Sequence, residues 1–160
     1  MIIRKTEPRD IAAIDKIYSD AKEFMKNNGN PTQWPGEYPN AKDAESDMKR
    51  GIGYVCEDEG RVVGVFAFAV EEEKDYDVIY NGKWLNSEPY AYIHRVAVAA
   101  HGRGVVDFCL GYCYGQYPNI KMDTHRDNIP MRRVLVRNGF VECGTIKIAT
   151  GEEFVAFQKV

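Results

Sequence analysis

Apolar positions along the chain alternate between runs that suit strands and a near-four-residue rhythm that suits helices. Ile2 to Lys5 reads as a first strand. Pro8, Arg9 and Asp10 suit a helix start, since proline is tolerated in the first turn. From there Ile11, Ile14, Ile17, Tyr18 and Ala21 recur at helical spacing, and Phe24 and Met25 continue the stripe. Asn27 to Asn30 includes Gly29 and is rich in residues that accept left-handed angles, so the helix should stop there. Residues 30–40 are broken by Pro31, Pro35, Gly36 and Pro39 and read as a loop. A short helix follows from Ala41 to about Lys49.

Tyr54 to Glu57 reads as a strand, Asp58 to Arg61 as a hairpin turn, and Val62 to Val70 as a long apolar strand of central character. Gly64 inside that strand suggests a bulge or a close approach of another backbone. The run Glu71-Glu72-Glu73-Lys74-Asp75 reads as a solvated charged stretch, and Tyr76 to Pro89 as an inserted flap. Ala91 to Val98 is the next strand. Its alternation predicts that Tyr92, His94, Val96 and Val98 share one face. Ala99 to Gly104 forms a glycine turn, and a helix runs on to Gln116. Ile120 to Thr124 is a further strand. A short helix capped by Asn128, with Pro130 in its first turn, ends at Asn138-Gly139. Phe140 to Ile148 and Glu153 to Lys159 close the chain as a hairpin around Thr150-Gly151.

The 160 residues suit a single domain with one substantial core. Hydrophobic residues make up 44% and charged residues 28%, which is ordinary for a globular protein. A net charge of −3 argues against a nucleic-acid partner. No apolar run reaches membrane-spanning length, and Met1 to Lys5 lacks a signal-peptide core, so a cytoplasmic location and no membrane partner are expected. Cys56, Cys109, Cys113 and Cys143 lack C-x-x-C spacing; Cys109 and Cys113 lie one helical turn apart, and all four are expected as small buried hydrophobes rather than a metal or redox pair, so no metal is expected.

The candidate chemistry centres on the turn after the Ala91–Val98 strand. Gly102 and Gly104 let the backbone take unusual angles and let a ligand approach closely. The helix that follows begins with amides that have no intrahelical partner, a ready site for a phosphate. The Lys-Ser or Lys-Thr of a P-loop is absent, and Asp107 stands where a dinucleotide motif needs its third glycine. His101-Gly102-Arg103-Gly104-Val105-Val106 instead resembles the [QR]-x-x-G-x-[GA] pyrophosphate loop of the GCN5-related N-acetyltransferases, with His101 and Val106 departing from the pattern. Asn128-x-x-Met131-x-x-Val134-Leu135-x-x-x-Gly139-Phe140 resembles the N-x-x-A-x-x-L-Y-x-x-x-G-F of the same family.

The resemblance implies an α/β (α+β) fold: a mixed, mostly antiparallel sheet of about seven strands flanked by about four helices. It implies acetyl-CoA as cofactor, direct transfer to the primary amine of a small molecule or peptide, and a monomer or homodimer. A silent acyl-CoA-binding module is the competing reading. The cofactor would lie against Val96, Ala97, Val98, His101, Gly102, Arg103, Gly104, Val105, Val106 and Asn128. His94, in His-x-x-Ala-Val, matches the histidine that takes part in proton removal in arylalkylamine-type members, and imidazole suits a general base. His125, at a strand end on the cofactor side, is the second proton-handling candidate. Trp34, Tyr38, Trp84 and Tyr92, together with Tyr90, are expected to shape the acceptor pocket. Leu135 stands where the family has its tyrosine general acid.

Overall fold

A computed structural model describes residues Met1–Val160. Seven strands form one sheet: β1 (Ile2–Lys5), β2 (Gly53–Asp58), β3 (Arg61–Ala69), β4 (Ala91–Val98), β5 (Ile120–Thr124), β6 (Val141–Lys147) and β7 (Glu153–Lys159). Four helices accompany it: α1 (Ile11–Asn27), α2 (Ala41–Lys49), α3 (Val105–Gln116) and α4 (Ile129–Arg137). The expected order of elements is therefore present. Pro8–Asp10 forms a separate 3-10 turn ahead of α1, and Lys74–Tyr76 forms another inside the segment read as charged surface and flap. No helix is long and apolar enough to cross a membrane.

The strand order is β1-β2-β3-β4-β5-β7-β6, and every neighbouring pair is antiparallel except β4 and β5. Helices cover both faces. The apolar stripe of α1 packs with Ala44 of α2 on Val55, Val65 and Ala97. Across the sheet, Val105, Cys109, Leu110 and Cys113 of α3 pack with Leu135 of α4 on Phe66, Ile93 and Phe140. Gly64 serves close approach: a Cβ there would lie 2.8 Å from Val105 Cγ1, so the bare backbone seats the first turn of α3 against β3.

Two departures from regular geometry shape the middle of the sheet. The first is the divergence of β4 and β5. They pair only at Ala91↔Ile120 and Tyr92↔Lys121, although β5 is paired to β7 over its whole length and β4 follows β3 as far as Val98. Each strand is thus tied to its own half of the sheet, and the halves part beyond Tyr92.

The second departure is a bulge in β4. Val65 pairs with Ala97 and Ala67 with His94, so Arg95 and Val96 together oppose Phe66. Arg95 takes a left-handed φ of 53°, which costs on the order of 1–3 kcal/mol for a non-glycine residue and persists only where surroundings enforce it. Here the Asp47 carboxylate of α2 holds the guanidinium through bonds of 2.9 and 2.6 Å. The bulge overturns the expectation of one shared face: the extra residue shifts the alternation. Tyr92 packs on the face with Ala67 and Tyr76, whereas Val96 and Val98 pack on the face of α3.

Candidate active site

The parting strands enclose a cleft of about 400 Å³. Ile93, His94, Arg95 and Val96 of β4 form one wall, and Met122, Asp123 and Thr124 of β5 the other. Asn128 and Met131 of α4, the 33–38 loop, Glu73, Asp75 and the 148–154 hairpin close its rim.

The turn after β4 has the features of an anion cradle. Gly102 and Gly104 have φ of 74° and 72°, with open space where a Cβ would stand. Gly104 precedes α3 and offers no side-chain cap to it. The amides of His101 to Val106 meet no protein acceptor, while the next stretch of helix is already satisfied, beginning with Phe108 N donating to Gly104 O. Bare amides at a helix start, with the helix dipole behind them, favour a phosphate. Along β4, Ala99 N donates to Val63 O, so alternation turns the N–H and C=O of Val98 and Val96 toward the edge that β5 has left. Ala97 and Val98 contribute backbone only, because their side chains are buried in the two cores. Val105 is buried against β3, and the His101 ring stacks on Phe24 of α1 with centroids 3.7 Å apart. Asn128 accepts from Met131 N at 3.2 Å as the cap of α4 and donates to Gln33 at 2.9 Å.

His94 lines the cleft and keeps 22% of its side-chain surface accessible. Tyr76, only 2% exposed, donates its hydroxyl hydrogen to Asp123 Oδ2 at 2.7 Å and lies 3.1 Å from His94 Nε2. With its own hydrogen committed, the Tyr76 oxygen can only accept from the ring. This selects the Nε2–H tautomer and leaves Nδ1 with a lone pair. Nδ1 faces Glu73 Oε2 at 3.8 Å, and Asp123 Oδ2 lies 3.8 Å from Nε2 on the other side. Burial, with the Arg95 charge adding to it, pushes His94 down to about 3, so the ring is neutral at physiological pH. Burial raises Asp123 to about 6 against the Tyr76 hydrogen bond, and also raises Glu73.

Of the expected pocket residues, Trp34 and Tyr38 line the cleft, and Tyr38 Oη accepts from Arg95 at 3.2 Å. Four other expectations need correction. Trp84 does not reach the cleft: its Nε1 donates to Tyr76 O, and its ring lies against Tyr76 and beneath the Lys121 ammonium. Tyr92 also stays outside; its ring packs beside His94 and its hydroxyl donates to Glu71 at 2.5 Å. Tyr90 lies over Lys121 in that same neighbouring cluster. His125 is buried as a structural residue: its Nδ1 accepts the Asp127 amide at 3.1 Å, and its Nε2 lies 3.3 Å from Thr32 Oγ1 and from Glu152.

Four residues in or just behind the cleft escape a reading of the chain alone. Glu73 and Asp75 sit in the charged run dismissed as surface, and the 3-10 turn at Lys74–Tyr76, with Glu73 accepting the Asp75 amide, folds them inward. Tyr76 belongs to the supposed flap. Asp123 did leave a signal, since aspartate is depleted inside strands and here stands between Met122 and Thr124.

The chain has 29% identity to a GNAT-family acetyltransferase of Streptococcus agalactiae, over 99% of this chain and 94% of that one, with a TM-score of 0.92. The chain belongs to the GCN5-related N-acetyltransferase superfamily. Two further structures share the fold: a GNAT-family acetyltransferase of Listeria monocytogenes (21% identity, 99% and 93% coverage, TM-score 0.72) and a ribosomal-protein-alanine N-acetyltransferase of Brucella melitensis (22%, 100% and 99%, TM-score 0.65). No protein-family model and no curated protein sequence matches the chain. As a GNAT-type acyltransferase fold, the chain has the expected seven strands and four helices, with the cleft where the sheet parts.

Proposed function

We propose that residues 1–160 form a single N-acetyltransferase domain that uses acetyl-CoA and transfers the acetyl group directly to the primary amine of a small molecule or peptide. The observation that carries this reading is the set of bare amides from His101 to Val106, with open space at Gly102 and Gly104, lying beside the unpaired edge of β4. Those residues fit a diphosphate, and the edge at Val96 to Val98 fits the amide groups of a pantetheine arm. Asn128, on the rim, borders the cleft together with Val96. Acetyl-CoA, when bound, supplies an acyl thioester as the electrophile.

His94 is the proton acceptor for the incoming ammonium, through Nδ1. The Tyr76–Asp123 pair holds the tautomer in which Nδ1 is free. A base held near 3 is weak, but Glu73 and Asp123 flank the ring and stabilise the imidazolium that forms as the proton arrives. Leu135, fully buried, offers no acid to the departing sulfur. A thiolate with a pKa of about 8.5 departs without one. The four buried free cysteines accord with a reducing, cytoplasmic setting.

Release of free thiol from acetyl-CoA over a panel of arylamines, polyamines, aminoglycosides, amino acids and peptides tests the assignment. His94→Ala is expected to keep acetyl-CoA affinity and to lose turnover. Unchanged turnover would remove His94 from the mechanism. Binding without thiol release from any amine would leave a silent acyl-CoA-binding module, the reading that Leu135 favours.

A further inference from the structure

The walls of the cleft are unevenly charged. Glu73, Asp75 and Asp123 all line it, and none has a Lys or Arg within ion-pair distance; the charged contacts of Glu73 and Asp123 are to the neutral His94 alone. The only guanidinium or ammonium on the walls is Arg95, and the bidentate grip of Asp47 neutralises it. Glu73 stands beside Nδ1, where the reacting ammonium gives up its proton, and Asp123 is held by Tyr76 at the other nitrogen, so Asp75 is the carboxylate left for a second charge. The 33–38 loop adds Trp34 and Tyr38, whose ring faces suit a cation.

We propose that the acceptor is an amine carrying a second cationic nitrogen a short aliphatic spacer away from the one that is acetylated, the second charge lying among Asp75 and the loop aromatics. This rests on the transferase reading above and narrows it. An acceptor bearing a carboxylate next to its amine, such as a free amino acid, meets repulsion here and no free cation to bind it. Gathering like charges without a counter-ion has a cost: burial is the main cause of the raised Asp123, and the Asp75 and Glu73 charges add to it. A bound dication relieves that repulsion, and the relief appears as affinity.

Three amines of one chain length separate the possibilities: n-butylamine, 1,4-diaminobutane and 4-aminobutanoate, assayed by thiol release at saturating acetyl-CoA. The expected kcat/KM for the diamine exceeds that of the monoamine by roughly tenfold or more, the scale of a partly desolvated ion pair, and the aminobutanoate falls below both. Asp75→Asn is expected to reduce the diamine-to-monoamine ratio to within about threefold, whichever way the absolute rates move. Titration calorimetry of the CoA-saturated protein should show the same preference without turnover. Equal affinity and equal kcat/KM for diamine and monoamine would overturn the dicationic acceptor while leaving the transferase standing. Absence of thiol release with every amine would overturn both.

Discussion

Replacing Asp123 with Asn should make the protein more stable at neutral pH and slower. Asn has nearly the same volume, and its Oδ1 still accepts from Tyr76, so the change removes a charge and little else. Burial holds the Asp123 carboxyl at about 6, against an ordinary value of 3.8. Because the folded pKa is raised, the stability that this group contributes is fully present below 3.8 and is lost as pH rises through 6. At about 1.4 kcal/mol for each unit, the ionised carboxylate costs about 3 kcal/mol above pH 6. Urea unfolding of both proteins from about pH 4 to pH 7.5 reads this directly. The Asn variant should gain on the native protein by about 3 kcal/mol across that range, the gain concentrated between 3.8 and 6. A difference in unfolding free energy that does not change with pH would refute the burial argument. Turnover should fall by about tenfold or more, because the carboxylate no longer helps hold the imidazolium. A charge retained at a cost in stability is the pattern expected of a working site.

Other consequences are checked as simply. His94 is held down to about 3, so its contribution to stability is present above its ordinary 6.5 and is lost as pH falls from there toward 3; His94→Gln should flatten that acid limb in a pH series of thermal melts. Gly64→Ala forces a methyl to within 2.8 Å of Val105 Cγ1. It should cost about 1–3 kcal/mol by overpacking, and, by displacing the start of α3, weaken acetyl-CoA binding at a site it does not touch.

The elements are legible in the sequence because their apolar periods are clean. The α1 stripe from Ile14 to Ala21 and the run Val62–Ala69 leave little choice between helix and strand. The glycine turn is legible because Gly102 and Gly104 permit few other uses at the mouth of a helix. The site is legible only where one residue carries its own meaning. His94 stands out by type and position. Its surroundings do not, because they depend on contacts far apart in the chain: Tyr76 with Asp123, 47 residues away, and Gln33 with Asn128, 95 residues away. The bulge at Arg95 is invisible to alternation, since it comes from the pairing of β4 with β3 and from the grip of Asp47. Trp84, Tyr92 and His125 have suitable side chains, but each is drawn aside by a local partner: Tyr76 O, Glu71 and the Asp127 amide.

The central claim is that bare backbone donors after β4 grip a diphosphate and that the parted edge receives the arm behind it. Amide spectra of the ¹⁵N-labelled protein, recorded as acetyl-CoA is added, test it residue by residue. The resonances of Gly102 to Val106 should move together with those of Val96 and Val98, and Gly104→Val should abolish the movement. Amides in those two stretches that stay unmoved at about 1 mM acetyl-CoA, a concentration at which even weak binding of about 4 kcal/mol registers, would contradict it.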